Sequence, residues 1–299
     1  MQRGEIRGNA LHVLLPVVAI IGATAAFQVG AALAKSLFPA VGPQGAATLR
    51  IVLGAALLLL VTRPWRGWPA KPPLASMVGL GLATAGAILF FYLAIGRLPQ
   101  GVAIALQFLG PLGVAIAGSR RPSDLIWTAL AAAGVWGLVG QGLGKQGLDP
   151  LGVVWALCAA ASWAAYIVWG QTASRAFKSA TPALAVGIAA LAITPVGVHH
   201  AGAALLDPAL IPLALVVAVI STAVPFSLEM YALPRMPART FAVLTSLEPA
   251  FGALFGLVIL HETLAPAQIA GVAAVIAAAA GAAWSSQARP AAITDLPPD

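Results

Sequence analysis

STAVPFSLEMYALPRMPARTFAVLTSLEP, residues 221–249, is the stretch whose reading decides how the rest of this chain folds. Two carboxylates, Glu229 and Glu248, stand in apolar surroundings on either side of a short basic turn, Arg235 to Arg239, that holds Pro237 and follows Pro234. One helix ends there and another begins in the same apolar medium, and an ionisable group carried into such a medium marks a functional site by default. Composition says what the medium is. Of 299 residues, 60% are hydrophobic and 8% charged, and mean hydropathy is +0.94, whereas about a quarter of the residues of a soluble domain are charged. Apolar runs of ~20 residues recur, each enough to cross ~30 Å of hydrocarbon as a helix. They are continuously apolar rather than alternating, which argues against a barrel. The expected fold is an all-α, multi-pass membrane protein.

Ten such runs are counted, at about 11–34, 45–62, 74–96, 100–118, 124–140, 150–171, 182–198, 209–233, 238–260 and 266–284. With the N-terminus in the cytoplasm, Arg3, Arg7, Arg63, Arg66, Lys71, Arg120, Arg121, Arg175, Lys178, Arg235, Arg239 and Arg289 share that side, against Lys35, Arg97 and Lys145 on the other. The bias places both termini in the cytoplasm. Arg97-Leu98-Pro99 matches Arg235-Met236-Pro237 at an offset of 138 residues, and twelve residues beyond each proline stands another, Pro111 and Pro249. The two copies fall on opposite sides of the membrane, so the expected architecture is two inverted five-helix repeats, 1–145 and 146–287, followed by a disordered cytoplasmic tail, 288–299. Ala23-Thr24-Ala25 resembles a signal cleavage site, but the apolar run continues to Ala34, which favours an uncleaved first span.

Trp65, Trp68, Trp127, Trp136, Trp155, Trp169 and Trp284 are expected at span ends, in the headgroup belts, and Trp163 alone lies mid-span. The single cysteine, Cys158, reads as a small packing residue. Basic residues are dispersed through short loops, which argues against nucleic acid as a partner. No HExxH or GxSxG occurs, and GLGKQG at 142–147 lacks the flanks of a phosphate loop. Gly252 and Gly256 form a GxxxG read as close helix packing. No enzyme activity, metal or cofactor is expected; lipid is the surrounding partner, and the choice between monomer and homodimer stays open.

Glu248 is the first candidate. It lies eleven residues after Pro237, about 16 Å along a helix and so near the bilayer centre, where a charge costs on the order of 2.5–3.5 kcal/mol. It is a candidate to exchange a proton, the alternative being a structural carboxyl bonded to a buried donor. Glu229 shares a helical face with Thr222 and Phe226. Pro225 has no N–H and leaves the carbonyl of Ser221 without its usual partner, so this face offers backbone and carboxylate acceptors together. An ion pair of Glu229 with Arg235 or Arg239 is the structural alternative. Arg50 and Lys35 are the complementary cations: either snorkels to the interface or turns inward to hold a carboxylate. Gln28, Gln107, Tyr92, Trp163, Tyr166 and Thr245 are further candidates within spans, with Ser162 and Ser246 beside them.

GAALAKSLFPAVGPQGAATLR at 30–50, ALQFLGPLGVAIAGSRRP at 105–122 and STAVPFSLEMYALPRMPARTFAVLTSLEPA at 221–250 resemble the threonine/homoserine exporter family, within the EamA-type branch of the drug/metabolite transporters. The resemblance covers nearly the whole chain. HETL at 261–264 resembles the superfamily's Gly-Glu-Thr-Leu, with His261 in place of the glycine. Membership implies an inner-membrane carrier that exports small neutral amino acids, driven by the proton gradient. A glutamate is common in the family where Gln107 stands, so a proton or ammonium role at that position does not carry over. Glu248, with Thr245 and nearby Tyr or Gln groups, would then receive the substrate ammonium, and Arg50 or Lys35 its carboxylate. A carrier of another metabolite or a drug, and a non-transporting membrane scaffold, are the rival readings.

Overall fold

The computed structural model describes residues 2–67, 72–117, 124–139, 148–232, 235–236 and 238–286. In chain order the helices are α1 (Gln2–Ala34), α2 (Phe38–Thr62), α3 (Leu74–Ile95), α4 (Gln100–Gln107), α5 (Leu109–Ala117), α6 (Asp124–Val139), α7 (Pro150–Phe177), α8 (Thr181–Ala201), α9 (Ile211–Ala218), α10 (Val224–Ala232), α11 (Ala238–Thr245), α12 (Glu248–Leu260) and α13 (Pro266–Ser286). The expected tail, the boundary at 145/146, the GLGKQG stretch, Trp68 and the basic residues Lys71, Arg120, Arg121, Lys145 and Arg289 lie outside the described residues.

Five helical stretches among the described residues are long and apolar enough to cross a membrane, and three shorter apolar helices accompany them. Two of the five run to 53 and 57 residues, Leu14–Arg66 and Pro150–Leu206. At 1.5 Å per residue, about 85 Å for the longer, neither is a single span. Each is interrupted by a short 3-10 turn, Lys35–Leu37 between α1 and α2, and Lys178–Ala180 between α7 and α8. Leu60, Val61, Leu191 and Val258 stand exposed on the outside of the bundle, as lipid-facing side chains do. The described residues thus form an all-helical bundle in which several helices are long and apolar enough to cross a membrane.

The most extensive helix pairings are α3 with α7, α2 with α8 and α6 with α13. Small residues set the closest approaches, as membrane helices require. On α4, a Cβ added to Gly101 would lie 2.7 Å from the Ala253 backbone of α12, and one added to Gly252 of α12 would lie 2.5 Å from Ile104 of α4. The GxxxG is therefore the surface on which α12 crosses α4.

Three of the ten counted runs are interrupted, each within a few residues of an internal proline, Pro111, Pro225 or Pro249. α4 gives way to α5 at Phe108, and α11 gives way to α12 at Ser246 and Leu247. Phe108 and Ser246 are separated by the 138-residue offset of the repeat. Each site is weakened locally, because Pro111 cannot donate to the carbonyl of Gln107, nor Pro249 to that of Thr245. Between α9 and α10 the backbone opens into a π-helical turn, Val219–Ala223, just ahead of Pro225.

The tryptophans expected near span ends have two kinds of surroundings. Trp65, Trp136, Trp169 and Trp284 are exposed, but Trp155 stacks on Phe90 at 5.6 Å between ring centroids, and the Trp127 ring packs over Gly281 of α13. Neighbouring helices leave these two rings half-buried. Residues Ala23 and Thr24, which resembled a cleavage site, are buried within α1.

Candidate functional site

A cavity of about 800 Å³ lies inside the bundle, within the usual range for small-molecule sites. Its wall is mostly apolar and carries a few polar groups drawn from many helices: Gln28 of α1, Arg50 of α2, Gln107 of α4, Trp163, Tyr166 and Gln171 of α7, Glu229 of α10 and Glu248 of α12. Thr245 and Ser246, at the α11/α12 break, also line it.

Arg50 lies midway along α2 and is buried. Its Nη2 donates to the carbonyl of Ser221 at 3.0 Å, the carbonyl that Pro225 cannot serve. Its guanidinium sits 5.5 Å from the centroid of the Tyr92 ring, within cation–π range. The Nε of Arg50 and the hydroxyl of Tyr92 have no hydrogen-bond partner. Tyr92 itself is fully buried behind Arg50 and does not line the cavity. Arg50 turns inward rather than snorkelling because a proline-freed carbonyl waits for it inside the bundle.

Glu248 opens α12, with Leu247 before it and Pro249 after. The expectation placed it mid-helix; the break instead sets its carboxyl at a helix N-terminus, where the helix dipole favours negative charge. It is 8% exposed. Glu229 reaches the same cavity from α10. Among the described residues no cation lies within ion-pair distance of either carboxyl. Arg235, offered as a structural partner for Glu229, donates instead to the Tyr231 carbonyl at 2.7 Å and covers the Tyr231 ring; the Arg239 side chain lies outside the described residues.

The other polar candidates are held to different degrees. Gln107 is buried, and its amide nitrogen reaches the Ala87 carbonyl at 3.5 Å, the outer limit of a hydrogen bond. Trp163 meets Phe108 edge-on, 5.0 Å between centroids, and Tyr166 lines the same cavity as Glu229. Lys35, like Tyr92, is a candidate that the structure keeps off the cavity wall, and it pairs with Glu262. Two residues escaped the sequence reading. Glu262, inside the HETL motif, accepts from the backbone N–H of Gln100 at 2.7 Å, and the Gln100 amide donates to the carbonyl and the side-chain oxygen of Gln28 at 2.9 and 3.1 Å. Glu262 sits near a span end, where a carboxylate looks unremarkable by position alone; only its motif hinted at more. Among the described residues no cluster of metal-ligating side chains occurs.

Comparison with known proteins accords with this geometry. The EamA-like transporter family matches over residues 150–284. The threonine/homoserine exporter RhtA of Escherichia coli strain K12 is 46% identical over 271 residues, covering 91% of this chain and 92% of that protein. RhtA of Salmonella typhimurium strain LT2 is 44% identical over 280 residues, covering 94% and 95%. A solved crystal structure at 20% identity superposes with a TM-score of 0.57 over 91% of this chain and 98% of its own, a likeness of fold. With identity of this extent over nearly full length, the chain belongs to the threonine/homoserine exporter family of EamA-like transporters, a family of carriers and not of enzymes.

Proposed function

We propose that this protein is a ten-span secondary carrier of the inner membrane, with both termini cytoplasmic, that exports small neutral amino acids such as threonine and homoserine in exchange for protons. The observation that carries the reading is that one cavity, with a mostly apolar wall, presents Arg50 together with the carboxyls of Glu248 and Glu229. A zwitterion leaving water needs both of its charges countered. The guanidinium of Arg50, oriented by Ser221 and backed by Tyr92, takes the substrate carboxylate, and Glu248 takes the ammonium. A proton on Glu248 removes the charge that holds the ammonium, so proton and substrate compete for one carboxyl, which is the requirement for antiport. Glu229, nearer the end of α10, relays protons to the same site. The breaks at Phe108 and at Ser246 and Leu247, 138 residues apart in sequence, support two inverted repeats whose interrupted helices meet at the binding site.

Uptake of labelled threonine and homoserine into inside-out vesicles, with and without an acid interior, tests this reading. Saturable uptake that rises with the gradient is expected, and Glu248→Gln should abolish the response to the gradient while leaving the protein folded. Gradient-driven export that survives Glu248→Gln would overturn the coupling role of that residue. Absence of saturable uptake of either amino acid would overturn the choice of cargo.

A further inference from the structure

Lys35, just past the end of α1, pairs with Glu262 in the turn between α12 and α13. The second oxygen of that carboxylate accepts the N–H of Gln100, the first residue of α4. The side chain of Gln100 is fully buried and donates both to the carbonyl and to Oε1 of Gln28, while its own Oε1 has no partner. Gln28 lines the cavity. A continuous polar chain thus joins an ion pair at one end of the bundle to the wall of the substrate cavity. The cavity stops just beneath it: Ile104, four residues along α4 from Gln100 and hence one turn away, is a lining residue. At the opposite end the lining residue Gln171 is exposed and Glu229 is half-buried. Among the described residues, the bundle is closed where Lys35 lies, and the cavity wall is less covered at the other end.

We propose that Lys35, Glu262 and Gln100 are the gate at that closed end, and that Gln28 is the positioning residue through which cargo releases it. The inference rests on the cavity being the transport site. A gate must break without stranding charge in an apolar interior. The side chains of Lys35 and Glu262 are 20% and 17% exposed, so water can reach both when they part, unlike a fully buried pair. Gln28 supplies the trigger: its Oε1 is also an acceptor for a donor group of a molecule in the cavity. Cargo that takes this oxygen leaves the Gln100 amide short of a partner, and an underbonded buried amide weakens the seat of α4 against α1. The contact that Glu262 makes with the first N–H of α4 then yields, and the end opens.

The test places a reporter beneath the gate. Ile104→Cys, in a Cys158→Ser background and reconstituted in liposomes, is labelled with a membrane-impermeant maleimide from the Lys35 face, with labelling from the opposite face as the rate standard. The ratio of the two rates should rise at least tenfold in Lys35→Met and in Glu262→Gln, and stay low in Lys35→Arg, which keeps the ion pair. Equal ratios in all of these proteins, or a rise in Lys35→Arg matching that in Lys35→Met, would overturn the gate. Saturating homoserine should raise the ratio several-fold when Gln28 is present and leave it unchanged in Gln28→Leu; an equal response in both would remove Gln28 from the mechanism. The first arm requires no cargo, so a wrong assignment of substrate leaves its result standing and is separately visible in the vesicle uptake assay.

Discussion

Arg50 owes its position to a hydrogen that is missing from Pro225. An ordinary residue at 225 would donate to the carbonyl of Ser221; proline cannot, and Arg50 Nη2 donates there instead. Pro225→Ala restores the competing N–H. The expected outcome is a folded protein whose KM for threonine rises on the order of tenfold, since one hydrogen bond to a charged group contributes about 1.5–3 kcal/mol and a tenfold change corresponds to about 1.4 kcal/mol. An unchanged KM in the uptake assay would mean that Ser221 does not position the guanidinium. Arg50→Lys keeps the charge but loses the planar fork, and should raise KM further, by a factor of ten to a hundred. The freed carbonyl was legible in the sequence, because a missing N–H is a property of residue 225 itself. Its partner was not, because Arg50 and Ser221 are 171 residues apart and a snorkelling arginine has the same local sequence as an inward one.

Helix crossings and helix ends carry the next set of expectations. Gly101 of α4 meets the backbone of Ala253 in α12, so a side chain there has no flexible neighbour to displace. Gly101→Val should lower stability by about 1–3 kcal/mol, as overpacking does, seen as a drop in the thermal midpoint in detergent; Gly113→Ala, where an added Cβ meets nothing within 4 Å, should not. Asp149 caps α7 by accepting from the N–H groups of Leu151 and Gly152, and Arg97 donates to its other oxygen at 2.7 Å. The Arg97 hydrogen bond, with help from the Gly152 N–H, holds this carboxyl below the ordinary carboxylate range. Its folded value is depressed, so its contribution to stability is present above the unfolded value near 4 and is lost as pH falls through the folded one. Thermal midpoints of the wild type and of Asp149→Asn, followed from pH 7 down to pH 3, should converge in acid. A gap that stays constant would show that the carboxylate charge is irrelevant. Pro111 and Pro249 announced perturbed helices in the sequence; whether a proline kinks a helix or ends it depends on what packs across the gap, and here the gap faces a cavity.

At the scale of the molecule, the proposed ten spans with both termini on one side predict that reporter domains fused to the N- and C-termini score on the same face, the cytoplasmic one. Opposite faces would require an odd number of spans and break the inverted-repeat reading. Much of the whole was fixed by the chain alone: helical membrane architecture, the transporter family, and the presence of Arg50, Glu229 and Glu248 in an apolar medium. Hydropathy and local backbone chemistry are additive along the chain, and identity to known exporters is read residue by residue. Tertiary structure alone decided which of those groups meet. It brought Arg50 and the two carboxyls to one cavity, sent Lys35 to Glu262 instead, and seated Glu248 at the start of α12 rather than within a continuous helix. Those outcomes depend on contacts between residues distant in sequence, where a side chain's partner is set by helix packing and not by its neighbours along the chain.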